Sequence, residues 1–431
     1  MNKILNRFLQ TFPLLAAVCF FAPNAQAQFR VEVSGIGLTQ VPVAVAAFRG
    51  EDTSAQKISA IVLADLERSG LFRGVDTAGV NLDESSNPDF SSWRKRNADA
   101  LLAGSVSRLA DGRFDVRMHL WDVVKGQELG GAKSFAVVQA DLRLAAHEIA
   151  DYVYEKLTGD KGVFSTRIAY VTKRGQGFNL WVADADGESP QSALASPEPI
   201  ISPAWSPNGR QLAYVSFEAR KPTIYVHEIA TGKRRLVANF KGSNSAPAWS
   251  PDGKTLALTL SRDGGSQLYL LDVSNVGAEP RRIAQSSSID TEPVFTADGR
   301  FIYFVSDRGG APQIYRVPAA GGNPERVTFS GTYNISPSLS PDGRWLAYVS
   351  RISGAFKLHV MELATGNAVA ITDTVADERP SFSPNSRMLI YATQQQGKEA
   401  LMTTTLDGKI KARLAGQTGD IREPDWGPFQ K

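Results

Sequence analysis

SPAWSPNGR, residues 202–210, is the first of six near-copies of one phrase that recur as far as the C-terminus. The others are APAWSPDGK (246–254), EPVFTADGR (292–300), SPSLSPDGR (336–344), RPSFSPNSR (379–387) and the shorter EPDWGPF (423–429). Their prolines, from Pro203 to Pro424, follow one another at steps of 44, 46, 44, 43 and 44 residues. This period is typical of a four-stranded propeller blade and differs from that of helical or leucine-rich solenoids.

Each period also contains the turn residues and short apolar runs that are typical of an antiparallel sheet. The turn Pro251-Asp252-Gly253 can reverse the chain without strain, because proline presets φ and glycine accepts a positive φ. Short apolar runs follow such turns, for example Leu212–Ser216 and then Thr223–Val226. Each blade is therefore predicted to be a meander of four strands, with the proline phrase in the first.

The two ends of the repeat are complementary. The run Ile168–Val171 has no proline phrase before it, and the last phrase, Pro424–Trp426, has no apolar run after it. We predict a six-bladed ring in which the C-terminal strand pairs with the strand near residue 168. Such pairing removes the exposed edges that an open array would leave.

Residues 1–27 have the pattern of a cleavable signal peptide. Lys3 and Arg7 precede an apolar stretch, and Ala25-Gln26-Ala27 is a small-x-small site, so cleavage is expected before Gln28. A membrane anchor is the alternative, but the apolar stretch is short for a span. Cys19, the only cysteine, lies within this segment, so the mature chain is predicted to have no thiol, disulfide or lipid.

Charge and length restrict the class of protein. The chain has 47 basic and 44 acidic residues, and removing the signal peptide leaves a charge near +1. This balance argues against nucleic-acid binding, which needs a large basic excess. The length is too great for one core. We predict an α/β domain over residues 28–160 and the propeller over residues 163–431.

Residues 28–160 combine the two periodicities. Val41–Phe48 is almost continuously apolar, as expected of a strand buried on both faces. A helix is predicted over Thr53–Ser69, ended by Gly70, and a second helix is capped by Asp141 and ended by Gly159. The strand-like runs between them are Ala100–Val106, Phe114–Trp121 and Ser134–Val138.

An enzyme is the natural alternative, because similar propellers gate peptidases. Such a peptidase needs a G-x-S-x-G nucleophile elbow, and the sequence contains none. Its four histidines are scattered, with His147 in a helical pattern and the others in or near strand-like runs. The fragment Asp184–Gly187 fits a hairpin turn better than a Ca²⁺ loop. We therefore predict no enzyme activity, cofactor or metal, although a Ca²⁺ weakly held at the channel mouth stays open as an alternative.

The innermost strands of a propeller surround its channel, so the residues next to their prolines are expected to gather at one mouth. With Asp290, Asp377 and Asp420 nearby, this mouth should be polar and acidic, and suited to a basic or hydrogen-bonding partner. The Glu292 side chain is expected to point into the mouth rather than between blades. The candidate partner-binding residues are Ser202, Ser243, Ala246, Thr291, Glu292, Ser336, Glu378, Arg379 and Glu423.

The order of signal peptide, small α/β domain and six W-S-P-D-G blades resembles the TolB family of the Gram-negative Tol-Pal system. The short sequence segments that support the resemblance are Ile61–Leu66, Lys156–Gly159, Thr166–Val171 and Lys411–Leu414. The resemblance implies a periplasmic location. It also implies that the channel face binds the peptidoglycan-associated lipoprotein Pal and that colicins imitate this contact.

The family's T-E-P and A-P-A-x-S-P patterns match Thr291–Pro293 and Ala246–Pro251. One position departs from the family pattern, because Ser243 stands where the family has a histidine.

The mature N-terminus is the second predicted site. Apolar and polar residues alternate over Gln28, Phe29, Arg30, Val31, Glu32 and Val33. This alternation suits a strand that adds to the edge of its own sheet or of a partner's sheet. In the family the corresponding stretch binds the inner-membrane protein TolA. The resemblance thus implies a site that is separate from the channel.

Together these features predict a monomeric, non-catalytic periplasmic adaptor without a membrane span. By resemblance, it bridges inner-membrane Tol proteins to Pal and supports outer-membrane integrity and outer-membrane invagination during cell division. A propeller enzyme or a carbohydrate-binding propeller is the competing class.

Overall fold

The structure, a computed structural model, describes residues 40–395, 397–414 and 420–430. The predicted signal peptide and the segment Gln28–Val33 lie outside the described residues. Within the described part, one six-stranded sheet precedes six four-stranded sheets. The predicted combination of an α/β domain and a six-bladed propeller is therefore confirmed.

The first sheet has the strand order β2-β1-β3-β4-β5, with β6 also paired to β4. Its first strand is parallel to both neighbours, and all five of its residues are buried, as predicted for a strand covered on two faces. The strands are β1 (Val41–Val45), β2 (Phe72–Gly74), β3 (Ala100–Arg108), β4 (Phe114–Asp122), β5 (Gln127–Glu128) and β6 (Lys133–Val137).

Helices cover both faces of this sheet. The helices are α1 (Ile58–Arg68), α2 (Phe90–Lys95) and α3 (Leu142–Thr158), with 3-10 turns at Glu51–Thr53 and Gln139–Asp141. The apolar faces of α1 and α3 pack on one side of the sheet, and Trp93 of α2 packs on the other. Gly70 and Gly159 follow α1 and α3 with φ of 79° and 81°, conformations that favour glycine and end a helix.

One predicted helix start was wrong, and one predicted cap lacks its side-chain hydrogen bond. Helix α1 begins at Ile58 rather than Thr53, because the chain first makes a 3-10 turn and then caps the helix from a distance. The buried Glu51 carboxylate accepts hydrogen bonds from the Ser59 amide at 2.9 Å and its hydroxyl at 2.6 Å. Asp141 occupies the N-cap of α3, but its side chain makes no capping hydrogen bond.

Blades 1 to 5 each consist of four consecutive antiparallel strands, from the channel outward. Blade 1 contains β10 (Ile200–Trp205), β11 (Gln211–Ser216), β12 (Thr223–Glu228) and β13 (Arg234–Ala238). Blade 2 contains β14 (Asn244–Trp249), β15 (Thr255–Leu260), β16 (Gln267–Asp272) and β17 (Arg281–Arg282). Blade 3 contains β18 (Asp290–Phe295), β19 (Phe301–Ser306), β20 (Gln313–Pro318) and β21 (Glu325–Arg326).

Blades 4 and 5 continue this pattern. Blade 4 contains β22 (Asn334–Leu339), β23 (Trp345–Ile352), β24 (Ala355–Glu362) and β25 (Ala368–Ala370). Blade 5 contains β26 (Glu378–Phe382), β27 (Met388–Gln395), β28 (Lys398–Thr405) and β29 (Lys411–Arg413).

The closing blade combines the two ends of the propeller. It contains β7 (Arg167–Arg174), β8 (Gly177–Asp184), β9 (Gln191–Ser196) and β30 (Asp420–Trp426). Strand β30 pairs antiparallel with β7, with Trp426 opposite Ile168, and the Trp426 ring nitrogen donates to the Thr166 hydroxyl at 2.9 Å. The predicted ring closure is confirmed. None of the described helices is long and apolar enough to cross a membrane.

Helix α3 leads directly into the closing blade, and polar contacts join the two parts. Arg387 of blade 5 donates twice to the Asp160 carboxylate, at 2.7 and 2.9 Å, and the Asn385 amide donates to the Lys161 carbonyl. We propose that the domain boundary lies in this short segment between α3 and β7, as the limits 28–160 and 163–431 require.

Candidate functional site in the propeller channel

Each of the six sequence repeats contains a proline in its inner strand, and the residues immediately before these prolines share one unusual backbone conformation. All have a left-handed φ between 49° and 58°, although none is glycine. In each inner strand the pairing register shifts at this point, which marks a β-bulge. These residues, called here the pre-proline ring, are Ser202, Ala246, Glu292, Ser336, Arg379 and Glu423.

This conformation is costly and is repeated in every blade. A left-handed residue other than glycine costs roughly 1–2 kcal/mol, and a following proline already disfavours helical backbone angles. Bulges of this kind turn a side chain or a backbone group away from the regular ladder. The six inner strands therefore share one local irregularity at the same position of every blade.

The inner strands enclose a central cavity of about 250 Å³. Each inner strand contacts the next, and β30 returns to β10 to complete the circle. Four members of the pre-proline ring line the cavity, namely Ala246, Glu292, Ser336 and Arg379. The structure therefore places four of the nine predicted channel-mouth residues in the cavity wall, while their role in binding a partner stays a prediction.

Two carboxylates of the ring connect neighbouring blades. Glu292 of blade 3 accepts a hydrogen bond from the Ser336 amide of blade 4 at 2.7 Å. Glu423 of the closing blade accepts one from the Ser202 amide of blade 1 at 3.2 Å. The expectation that Glu292 points into the mouth rather than between blades was therefore wrong in part. Its carboxylate lines the cavity and also bridges two blades.

Arg379 is the cation of the pre-proline ring. Its guanidinium lies 2.9 Å from the Glu423 carboxylate. Burial raises the pKa of Glu292, and the positive charge of Arg379 opposes this rise. Burial, with the neighbouring charge of Glu423, raises the pKa of Glu378 to about 7. The ring thus holds partly buried acids around one arginine, and Glu378, which precedes Arg379 in the same strand, adds a group with a pKa near neutrality.

The mouth is less acidic than the sequence indicated. Asp290 is buried and makes two hydrogen bonds with Arg308, at 2.8 and 3.0 Å. Asp377 is also buried, and it accepts from the Leu358 amide and from three threonine hydroxyls. Both carboxylates hold blade loops together and are not offered to a partner. The expectation that they contribute free negative charge was wrong.

Asp425 is a cavity-lining residue that the sequence analysis missed. Its carboxylate accepts the Trp205 amide of blade 1 at 2.7 Å and the Ser381 hydroxyl of blade 5 at 2.9 Å. Ser381 in turn accepts the Trp426 amide. Burial raises the pKa of Asp425 to about 6. The sequence did contain an indication of this role, because Asp425 directly follows Pro424, the proline of the last repeat.

The remaining predicted residues lie just outside the pre-proline ring. Thr291 and Glu378 each precede a ring residue in the same inner strand. The Thr291 hydroxyl accepts a long hydrogen bond from Thr259. Ser243 lies before β14, where its amide donates to the Ser261 hydroxyl and its carbonyl accepts from the Ser261 amide. Its backbone is therefore anchored at the rim, while the cavity lies deeper.

A second, larger cavity lies between the α/β domain and blades 4 and 5. It has a volume of about 810 Å³, and its walls include Leu71 and Tyr154 on one side and Trp345 and Ile410 on the other. Gln40, the first described residue, also lines it and donates to the Gly70 carbonyl at 3.2 Å. Gln40 is thus the described residue nearest in sequence to the predicted N-terminal segment.

Among the described residues, one group has the composition of a metal site, namely Asp65, His147 and Asp186. Two arginines already pair with these carboxylates, Arg68 with Asp65 and Arg143 with Asp186. The group is therefore part of an ion-pair network between the domains. The Asp184–Gly187 segment itself is the hairpin turn that was predicted, with Gly187 at a φ of 89°.

Comparison with known proteins gives consistent matches over both parts. Residues 29–129 match the family described as the TolB amino-terminal domain, and residues 154–430 match the TolB beta propeller domain. A Tol-Pal system protein TolB from Albidiferax ferrireducens is 75% identical, over 94% of this chain and 95% of the relative. One from Bordetella pertussis is 53% identical, over 99% and 98%.

A solved structure agrees with these sequence matches. The crystal structure of TolB from Acinetobacter baumannii aligns with a TM-score of 0.83 and 37% identity. The alignment covers 91% of this chain and 97% of that one. Both domains therefore have a counterpart in one solved chain.

Proposed function

The chain belongs to the TolB family of Tol-Pal system components, and from that premise we propose that it is a non-catalytic periplasmic adaptor with two partner sites. The channel face binds the peptidoglycan-associated lipoprotein Pal, and the mature N-terminal segment binds TolA. By joining the two, the protein supports outer-membrane integrity and outer-membrane invagination at cell division. The same channel face is a candidate target for colicins.

The observation that carries the proposal is the pre-proline ring. Its members present carboxylates and an arginine around a cavity of about 250 Å³ at considerable conformational cost. Strained backbone that is repeated in each blade favours a binding role, because regular ladders would close the ring with less strain. Carboxylates in this partly buried setting accept strong, charge-assisted hydrogen bonds from a docked loop.

The proposed TolA site rests on the sequence pattern of Gln28–Val33 and on its continuation into the chain. The segment leads to Gln40 at the edge of the groove between the domains. A terminal segment with alternating polarity can add to a partner's sheet without disturbing either domain core. The two partner sites are therefore proposed to be separable by mutation.

Deletion of residues 28–39 tests this separation. We expect the deletion to abolish binding of the TolA periplasmic domain, while the soluble domain of Pal still binds and the propeller unfolds at an unchanged temperature. Calorimetric titration with each partner measures both affinities on the same preparation. Retained TolA binding would remove the segment from the proposed site.

The matched variant is Glu292→Ala, which is expected to weaken Pal binding and spare TolA binding. If neither purified partner binds the wild-type chain, the adaptor proposal fails for this protein. An enzymatic or carbohydrate-binding propeller would then be tested with a hydrolase panel and a glycan array.

A further inference from the structure

A cluster of six ionisable side chains lies where the α/β domain meets the closing blade, away from the channel. Helix α1 contributes Asp65 and Arg68, helix α3 contributes Arg143 and His147, and the end of β8 with its turn contributes Asp184 and Asp186. We call this the junction cluster. None of its residues belongs to either of the proposed partner sites.

His147 lies at the centre of the junction cluster and is completely buried. One ring nitrogen, Nδ1, is hydrogen-bonded to the Asp65 carboxylate at 2.5 Å. The other, Nε2, has no hydrogen-bond partner and lies 3.8 Å from an Asp184 oxygen and 3.9 Å from an Asp186 oxygen. A neutral ring with its proton on Nδ1 would direct a lone pair at two carboxylates, an unfavourable arrangement in a buried site.

The charge balance of the junction cluster also favours a protonated His147. Three carboxylates face two guanidinium groups, since Arg68 pairs with Asp65 at 2.6 Å and Arg143 contacts both Asp184 and Asp186. Arg167 of β7, outside the cluster, also interacts with Asp184. With a neutral histidine, the six side chains of the cluster itself carry one uncompensated negative charge. With a proton on Nε2 it is balanced. Buried charges are tolerated when they are paired, so the protonated form is the better fit to this geometry.

We propose that His147 is a proton-operated lock between the two domains. With a proton on Nε2 it holds the turn of the closing blade against α1 and α3, and when that proton is lost the junction loosens. The proton is the ligand of this site, and the two carboxylates of the closing blade, at 3.8 and 3.9 Å, are the negative charges nearest to it.

The sign of the pH dependence follows from the surroundings of His147. Burial lowers its pKa, but Asp65, followed by Asp186 and Asp184, outweighs burial and raises the pKa above the usual 6.5. A raised pKa means that the folded state binds the proton more tightly than the unfolded state. The stabilising contribution is therefore complete below pH 6.5 and is lost as pH rises through the folded-state pKa.

Other groups near the lock also have shifted pKa values. Asp151, one turn beyond His147, accepts from the Phe164 amide and from the Ser165 amide and hydroxyl, and burial raises its pKa to about 6. Burial also raises the pKa of Asp184, whereas Arg68, His147 and Arg143 hold that of Asp186 below its usual value against the effect of burial. The contribution of His147 is therefore isolated by comparison with a His147 variant.

Nuclear magnetic resonance of the full chain with ¹³C-labelled histidine tests the lock directly, because the chain has four histidines. His147→Gln identifies the relevant signal by its disappearance. We expect that signal to titrate with a midpoint above 6.5 in the wild type and with a lower midpoint in the double variant Asp184→Asn, Asp186→Asn. A wild-type midpoint at or below 6.5 would overturn the proposal.

Amide hydrogen exchange measures how often the junction between the two domains opens. Between pH 6 and 8.5, after correction for intrinsic rates, protection of the Ala185 amide, which donates to the Thr166 carbonyl, should fall in the wild type as pH rises. It should be independent of pH in His147→Gln. The control is His359→Gln, a histidine in blade 4, which should behave as the wild type.

Equal pH dependence in wild type and His147→Gln would exclude the lock. If His147→Gln fails to fold, the comparison between wild type and the double aspartate variant still decides, because only the lock predicts that the variant loses the pH dependence. Zinc ions are added at pH 8 as a final arm. Restored protection at micromolar zinc would assign the cluster to metal binding and overturn the proton lock.

Discussion

The pre-proline ring and the junction cluster are both groups of partly or fully buried charges, but they are completed in different ways. In the ring, Arg379 is the cation beside Glu292 and Glu423, and the group faces a cavity. In the junction cluster, two arginines and one histidine face three carboxylates, and protein surrounds the group. A single proton balances the second group, whereas the first retains negative charge and open space.

This difference distinguishes a surface that can bind another molecule from a cluster that holds two domains of the same chain together. A ring with surplus acceptors next to a cavity can satisfy them with donors from another molecule. A closed cluster can change state only by gaining or losing a proton or by opening. Removing charges from each group should therefore have different consequences for stability and for binding.

The largest effect is expected from removing the strand that carries two of the channel carboxylates. Truncation after Thr418 deletes β30, with Glu423 and Asp425, and leaves the inner edge of β7 unpaired. Loss of the ring-closing strand should cost several kcal/mol, a large part of the stability of an ordinary domain. Calorimetry should show the propeller transition at a much lower temperature.

A chain that lacks only Gln430 and Lys431 is the control for this truncation, because Gln430 is exposed and follows the last strand. It should unfold as the wild type does. Unchanged unfolding of the chain that ends at Thr418 would contradict the role of β30 in closure.

The next effect tests whether Arg379 balances the ring. Arg379→Met keeps the left-handed backbone residue and most of the side-chain volume, but it leaves the Glu423 and Glu292 carboxylates without this cation. Removing one partner of a buried ion pair typically costs about 3–5 kcal/mol. The loss should be larger at pH 8 than at pH 5, because burial raises the pKa of Glu292 and its protonation removes one unpaired charge.

Urea unfolding at the two pH values measures this difference. Arg344→Met removes an exposed arginine from a turn of blade 4 and should change stability little at either pH. Equal stability of Arg379→Met and wild type at pH 8 would mean that the ring does not depend on this cation.

Much of this architecture could be predicted from the sequence, because repeat spacing and turn residues act locally. The 44-residue period and the split phrase at Pro424 were sufficient to predict six blades and their closure. The pairing of side chains could not be predicted, because it depends on which blades come together. Asp290 and Asp377 were expected to make the channel mouth acidic. In the structure Asp290 pairs with Arg308, and Asp377 accepts hydrogen bonds from three threonine hydroxyls. Likewise, nothing in the sequence brings His147 next to Asp184.

Asp425 provides a smaller test of the ring. Since burial raises its pKa to about 6 in the folded state, against 3.8 ordinarily, the folded protein gains stability as pH falls through this range. Asp425→Asn should remove about 2 kcal/mol of the gain between pH 7.5 and 4.5, an order-of-magnitude figure from the linkage relation. Urea unfolding at both pH values measures the gain.

Asp298→Asn is the matched control for Asp425→Asn. Hydrogen bonds from Thr296 and from Arg300 hold the pKa of Asp298 at about 2, so it is ionised across the tested range. Its replacement should leave the pH dependence unchanged. A wild-type dependence in Asp425→Asn would mean that this carboxylate does not titrate where its burial indicates.

Glu292 gives the smallest expected effect and the sharpest one, because its carboxylate both bridges two blades and lines the cavity. Glu292→Gln keeps an oxygen that can accept the Ser336 amide but removes the charge, whereas Glu292→Ala removes both. We expect both variants to bind the soluble domain of Pal at least about tenfold more weakly, or about 1.4 kcal/mol. Only the alanine variant should also lose stability, since it leaves a bridging amide without its acceptor.

Glu325→Gln is the control for the loss of charge at Glu292, because Glu325 lies exposed on the outer strand of the same blade and pairs with Arg316. Calorimetric titration should give it wild-type affinity. If Glu292→Gln also binds like the wild type, the charge is not used by the partner and Glu292 serves only to join blades 3 and 4. A weakened Glu292→Gln of unchanged stability would separate the two roles, because bridging needs only an acceptor whereas the proposed contact needs the negative charge.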